Sequence, residues 1–256
     1  MNVFQLNKLS KYHDGKFIFF TKTDYLRKDF DEISKLENEV ILISGNSDFV
    51  IDDALSNSMP KNIKAWFATN VITENPKIIP IPLGIENYEE SIRQGHGVGY
   101  DRGLTKENFI LNYQDRTPTR FIYSNCRRGT NPGLRDRVID ISKKNIYITW
   151  EEPNLSIESF FDRVLDFEAV LCPQGNGFGD NHRIYETLYL NRIPITTGGH
   201  VHKSLHHNFP VVLVEDIELL KNYDFLREQV DIAKSKVWDR SLLDLDYWKN
   251  RILSYL

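Results

Sequence analysis

Short apolar runs alternate with amphipathic segments along nearly the whole chain, and that pattern admits few folds other than βαβ units around parallel sheets. Lys16–Phe20 (KFIFF) and Val40–Gly45 (VILISG) read as buried strands, each closed by polar or glycine punctuation. Between them, Leu26, Phe30, Ile33 and Leu36 recur at helical spacing within Tyr25–Asn38. Ile63–Thr69 and Lys77–Ile85 continue the series. Pro80 and Pro82 cannot donate to a ladder, so the last run is expected at a sheet edge or strand end.

From Glu89 to Thr119 the apolar periodicity fades, while Gly95, Gly97, Gly99 and Gly103 accumulate and Pro118 closes the stretch. The expectation there is a long loop joining two domains. A second alternating series follows: TRFIYSN, a helix near Gly133–Lys143, NIYITW, a helix near Ile157–Phe167, EAVLCP, a helix over Asp180–Leu190, RIPITT and PVVLVED. The organisation expected is therefore α/β, with two Rossmann-like domains over 1–116 and 117–237 facing each other across a cleft, and a helical C-terminal segment over 238–256. Ligands of open parallel sheets bind beyond the carboxyl ends of the strands.

Composition narrows the function. With 32 Lys and Arg against 36 Asp and Glu, the net charge is −4, which argues against a general electrostatic grip on nucleic acid. No apolar run approaches the roughly 20 residues of a membrane span, and the first residues lack a signal-peptide apolar region. Two cysteines, Cys126 and Cys172, make no disulfide framework. A soluble cytoplasmic protein is expected.

Chemistry concentrates in Glu168–His200, which reads as strand, glycine loop, helix, strand and loop. Gly175, Asn176, Gly177 and Gly179 precede Asp180, an N-cap candidate whose helix would turn its free N–H groups toward an anion. Arg183 sits in the first turn, where a guanidinium can fork onto a diphosphate. Glu186 follows one turn later, where a carboxylate can accept from a ribose cis-diol. Together these describe a nucleotide-sugar site; the competing reading is a solvated i,i+3 ion pair. The GxGxG spacing is not the dinucleotide GxGxxG, so a nicotinamide enzyme is disfavoured.

CPQGNGFGDNHRIYETLYLNRIPI resembles the donor-site signature of exostosin-like glycosyltransferases, in which a Pro/Gly-rich loop precedes D-x-x-R-x-x-E, an apolar helix and an I-P-I/V strand. Phe121–Val138 and Asn75–Asn87 fit the same resemblance, and Asn191-Arg192 stands where that family has a glycine turn. Asparagine tolerates the left-handed conformation such a helix end needs. The resemblance implies a GT-B architecture with donor bound mainly by the C-terminal domain and acceptor mainly by the N-terminal one. It also implies a UDP- or GDP-linked sugar donor, a carbohydrate acceptor, transfer with inversion, and no metal or other cofactor. In that family's architecture the C-terminal helical region, here carrying Trp238 and Trp248, returns to the N-terminal domain.

Arg127 and Arg128, after the strand ending at Ser124, are placed to hold donor phosphates, with a solvated basic turn as the alternative. Arg135 and Arg137 read as surface residues of the next helix. Asp48, just past a buried strand, is the first candidate general base, with Glu86 second and His96 third. Helix capping by Ser47 or Asp48 competes with the first assignment. His200 is expected to touch donor phosphate or sugar, in preference to zinc ligation with His202, His206 and His207. The D-x-D strings at Asp29 and Asp244 lie inside helical patterns, not at strand ends where a metal would be held. A non-catalytic nucleotide-sugar or glycan binding module on the same scaffold is the alternative to an enzyme.

Overall fold

Each apolar run singled out above is a parallel strand. In the computed structural model, which describes residues 1–92, 100–176, 180–197 and 206–256, two units are distinguished: Met1–Leu104 with Arg240–Leu256, and Thr105–Asp239.

The first unit holds β1 (Ile18–Lys22), β2 (Val40–Gly45), β3 (Ile63–Ala68) and β4 (Ile78–Pro80), hydrogen-bonded in that order and all parallel. The proline-bearing strand is short and lies at the edge, as its missing donors require. Helix α1 (Leu26–Ile33) joins β1 to β2, and α2 (Asp53–Asn57) joins β2 to β3. Parallel crossovers are almost always right-handed, so strands laid down in strict sequence place their connections on one face. The side chains follow this rule. Phe19, Leu42 and Trp66 pack with Leu26, Phe30 and Ile33 of α1. The alternating residues Phe20, Ile41, Ile43 and Phe67 form a separate cluster with Phe4, Leu6 and Leu9 and with Leu245, Trp248 and Ile252 of the C-terminal helix Leu245–Leu253. The two ends of the chain thus cover the face that no crossover reaches.

The stretch expected to be a loop from Glu89 to Thr119 contains a thirteen-residue helix, α3 (Tyr100–Asn112), and the division between the units falls inside it, not after residue 116. Its buried stripe has helical spacing but the wrong chemistry to be seen: Gly103, Lys106, Glu107 and Ile110. Gly103 is there for close approach, since a Cβ would lie 2.6 Å from the carbonyl oxygen of Glu86 and 2.9 Å from the backbone of Asn87.

The second unit contains β5 (Arg120–Ser124), β6 (Ile148–Trp150), β7 (Phe167–Leu171), β8 (Ile193–Thr197) and β9 (Val212–Val214). All pair in parallel, in the order β6-β5-β7-β8-β9. Helices α4 (Pro132–Lys144), α5 (Ile157–Val164), α6 (His182–Tyr189) and α7 (Tyr223–Ser235) connect and cover them. Ile122, Leu171 and Ile195 pack with Val138 and Ile141 of α4 and Leu226 and Val230 of α7. On the other side, the Tyr123 ring meets Phe160 and Phe167. Chain order reverses between β5 and β7, so the crossovers diverge there, the place at strand carboxyl ends where open parallel sheets bind ligands. The first sheet, in strict sequence, has no such reversal.

Candidate functional site

The loops leaving β5 and β7 meet at this switch point, and one side chain ties them together. Arg135, in the first turn of α4, donates from Nη1 to the carbonyl of Arg127 (3.0 Å), from Nε to Gln174 (3.1 Å) and from Nη2 to Pro173 (3.2 Å). The surface position expected for Arg135 is therefore corrected: it is a wedge between loops, and burial pulls its pKa down from the usual guanidinium value. Asn125 adds the loop after β6, its amide donating to the carbonyls of Glu151 (3.3 Å) and Glu152 (3.1 Å). A Cβ at Gly175 would make only ordinary contacts with Arg135 and Thr130, so no neighbour in the protein demands glycine there.

Helix α6 begins later than expected. Its N-cap is Asn181, not Asp180, and the Asn181 amide donates to the carbonyl of Cys172 (3.2 Å). Asp180 is drawn inward: Tyr185 donates its hydroxyl to one carboxylate oxygen (2.7 Å) and the Asn181 N–H donates to the other (2.9 Å). The helix is buried on almost every side, from Ile184 to Tyr189. It ends at Asn191 with φ 57°, the left-handed conformation asparagine tolerates.

Arg183 and Glu186 do pair one turn apart, Nε to Oε2 at 3.1 Å, but the pair is not solvated. Glu186 is only 3% exposed, and its other oxygen accepts from Nζ of Lys106 on α3 at 2.6 Å, a residue itself only 7% exposed. The oxygens expected to face a ribose are thus committed to two cations. Burial alone would raise the pKa of Glu186, but the Lys106 and Arg183 charges outweigh it and hold the carboxyl at about 2. Arg183 is further fixed by Nη1 donating to the carbonyl of Asn125 (3.3 Å) and by stacking 3.9 Å above the Phe160 ring. Its Nη2 has no acceptor among the described residues, and the side chain is 30% exposed. The switch point therefore presents a braced guanidinium with a free donor edge. Arg183 and Arg135 thus reach the loops after β5 and β7, with Arg127 exposed on the first of them, and cations at such a place suit an anion.

The remaining expected residues are dispersed. Arg127 is exposed, with Nη2 reaching the carbonyl of Pro153 at 3.4 Å, and Arg128 pairs with Asp136 at 2.7 Å on the surface. In the first unit Asp48 is exposed and without a hydrogen bond or ion pair among the described residues. The capping role considered for Ser47 or Asp48 belongs to Asp52, which accepts from the N–H of Leu55 at 2.9 Å. Glu86 is half-buried and pairs with Arg102 at 3.4 Å. Asp29 is buried and accepts from Thr21, while Asp244 caps the C-terminal helix, so these members of the D-x-D strings have structural partners. Gly95, His96, Gly97, Gly99, Gly177, Gly179, His200 and His202 lie outside the described residues.

The charged network has a consequence for acid stability. Glu168 is also held at about 2, chiefly by two hydrogen bonds from Arg227 (both 2.9 Å) against the opposing effect of burial, with Lys234 adding to the pull. Both carboxyls titrate near 4.5 when freed by unfolding. Between these values the unfolded chain binds more protons, so the stability they contribute is complete above about pH 5 and drains away as pH falls toward 2. Urea midpoints taken from pH 7 to pH 2.5 are expected to hold level and then decline through that window; a midpoint independent of pH below 4 would contradict the assignment.

Sequence reasoning missed Lys106 and Phe160, and misplaced Arg135. Lys106 gave no signal, because a lysine on an unrecognised helix reads as surface. Asn125 ends the run TRFIYSN, where residue type alone assigns it no role. No family model matches the chain, and no curated protein matches it. Among solved structures, the chain is similar to Spinosyn Rhamnosyltransferase SpnG, with a TM-score of 0.45 and 9% identity over 93% of this chain and 69% of that one.

Proposed function

We propose that the chain is a glycosyltransferase that moves a sugar from a UDP- or GDP-linked donor to a carbohydrate hydroxyl. The observation that carries the reading is Arg183: partly exposed, braced on three sides at a topological switch point, and with an uncommitted donor edge. Departure of a nucleoside diphosphate leaves negative charge on the phosphate, and a pre-positioned guanidinium stabilises that charge without reorganising. Arg127, exposed and without an acid partner among the described residues, supplies a second cation. The same electrostatics can replace a metal ion in neutralising the leaving group. Glu186 serves by anchoring Arg183, and Gly175, Asn176, Gly177, Arg128 and His200 complete the donor site in this reading.

Asp48 is the proposed base for inverting displacement, because an exposed carboxylate without a partner can accept a proton from an acceptor hydroxyl; Glu86 is the second candidate. Asp48→Asn is expected to leave donor binding unchanged and to lower turnover by about two decades or more. Near-normal turnover would move the base role elsewhere. A thermal-shift screen against UDP, GDP, dTDP, CMP and NAD, each with and without EDTA, tests the reading as a whole. Stabilisation by UDP or GDP that EDTA leaves intact is expected; a response to NAD alone, or to none of them, would contradict it. Nucleotide-sugar binding without transfer or slow donor hydrolysis would favour the non-catalytic module.

A further inference from the structure

We infer that Lys106 is a positioning residue for Arg183: its ammonium occupies one oxygen of Glu186 and turns the other to Nε of Arg183, leaving Nη2 free for an anion. The inference rests on the reading of Arg183 as a phosphate contact, and it extends the site to a helix that carries no motif. The geometry is a relay of three side chains. Lys106 Nζ lies 2.6 Å from Oε1 of Glu186, and Oε2 lies 3.1 Å from Nε of Arg183. The first two members are almost wholly buried, while the third reaches the surface.

Two cations on one buried carboxylate are more than an ion pair needs. Arg183 bonds only one oxygen of Glu186 and is itself partly exposed, and burying an ammonium on the other oxygen is costly unless its charge is used. The use we assign is to keep Glu186 a carboxylate under all conditions in which the site works. Among the described residues its charged and titratable surroundings are Lys106 from α3, Arg183 and His182 from α6, and Cys172 just past β7. Of these, Lys106 and Arg183 touch it. Without Lys106, burial would favour the protonated acid, which holds Arg183 less strongly. The site would then acquire an acid limb that the intact protein lacks.

Lys106→Met removes the ammonium while keeping the stem, and Lys106→Arg restores a cation. The direct readout is the Nε–H resonance of Arg183 in arginine-labelled protein, followed from pH 8 to pH 5 and assigned by its loss in Arg183→Lys. In the wild type and Lys106→Arg it should not titrate; in Lys106→Met it should shift as the pH falls. In parallel, UDP and GDP affinities are measured by calorimetry at each pH, and the ratio of variant to wild type cancels titration of the ligand. That ratio should fall at least tenfold further at pH 5 than at pH 8 for Lys106→Met and stay level for Lys106→Arg. A resonance in Lys106→Met that is as insensitive to pH as in the wild type would overturn the proposal. If the resonance titrates as expected but the wild type binds neither nucleotide, the relay stands and the glycosyltransferase reading fails. If the wild type binds nucleotide and Lys106→Met shows neither shift nor acid limb, the reverse holds.

Discussion

Glu186→Ala is expected to destabilise the protein by about 3–5 kcal/mol, because it strands two cations that share one buried carboxylate. Most of that cost comes from Lys106, which is 7% exposed and cannot rotate into water without disturbing α3. Arg183, partly exposed, can recover some hydration. The same physics makes the double variant Lys106→Met with Glu186→Leu far milder, since replacing a buried pair by apolar side chains of similar volume is often neutral. Urea denaturation of the two variants separates the effects. A small loss in Glu186→Ala, below about 1 kcal/mol, would mean that the pair is hydrated and that the network does not brace the site. Both variants should also lose nucleotide affinity, so the double variant separates loss of function from loss of fold.

Arg192→Met is the second large effect, at about 3–4 kcal/mol, estimated from hydrogen bonds to a charged group at about 1.5–3 kcal/mol each, discounted for non-additivity. Arg192 is buried at the turn between α6 and β8, where its guanidinium donates to the carbonyls of Leu190 (3.1 Å), Asn191 (3.1 Å), Arg116 (2.8 Å) and Leu165 (2.7 Å). It also pairs with Asp115 at 3.0 Å, but that carboxylate is well exposed and loses little when abandoned. The fully buried bonds, to the carbonyls of Leu190 and Leu165, carry most of the loss. Since the turn fixes the far end of the helix that holds Arg183, the variant should unfold at lower urea while nucleotide affinity, measured well below the transition, stays within about threefold of wild type. A stability change under 1 kcal/mol would show that water replaces the guanidinium at those carbonyls.

The nine strands among the described residues were legible because most of them are short, nearly continuous apolar runs, and no alternative pattern mimics these over several consecutive units. The order of the strands was not. Nothing in Val40–Gly45 or Phe167–Leu171 says which neighbour it pairs with, and the reversal between β5 and β7 that marks the site emerges only from pairing. Helix α3 was hidden for a definite reason. The residues it buries are a glycine, a lysine, a glutamate and an isoleucine, so a stripe with helical spacing carries little apolar signal.

At the site, the pairing of Arg183 with Glu186 was visible from spacing alone, but its burial was not, because burial comes from α3 and from strands far away in sequence. The sequence favoured Asp180 as cap on residue type; the choice between Asp180 and Asn181 was decided by Tyr185, whose hydroxyl claims the aspartate. Arg135 looked like any arginine on an amphipathic helix. Only the meeting of two loops gives it three carbonyl partners.

The role proposed for the switch point between β5 and β7 is to hold a nucleoside diphosphate through Arg183. Calorimetric titration of UDP and GDP into the wild type and Arg183→Ala at pH 7 tests it most directly. One of the two nucleotides should bind the wild type, and the variant, still folded, should bind it at least tenfold more weakly, a loss of about 1.4 kcal/mol or more. Equal affinity in the two proteins, or no binding of either nucleotide to the wild type, would rule that role out.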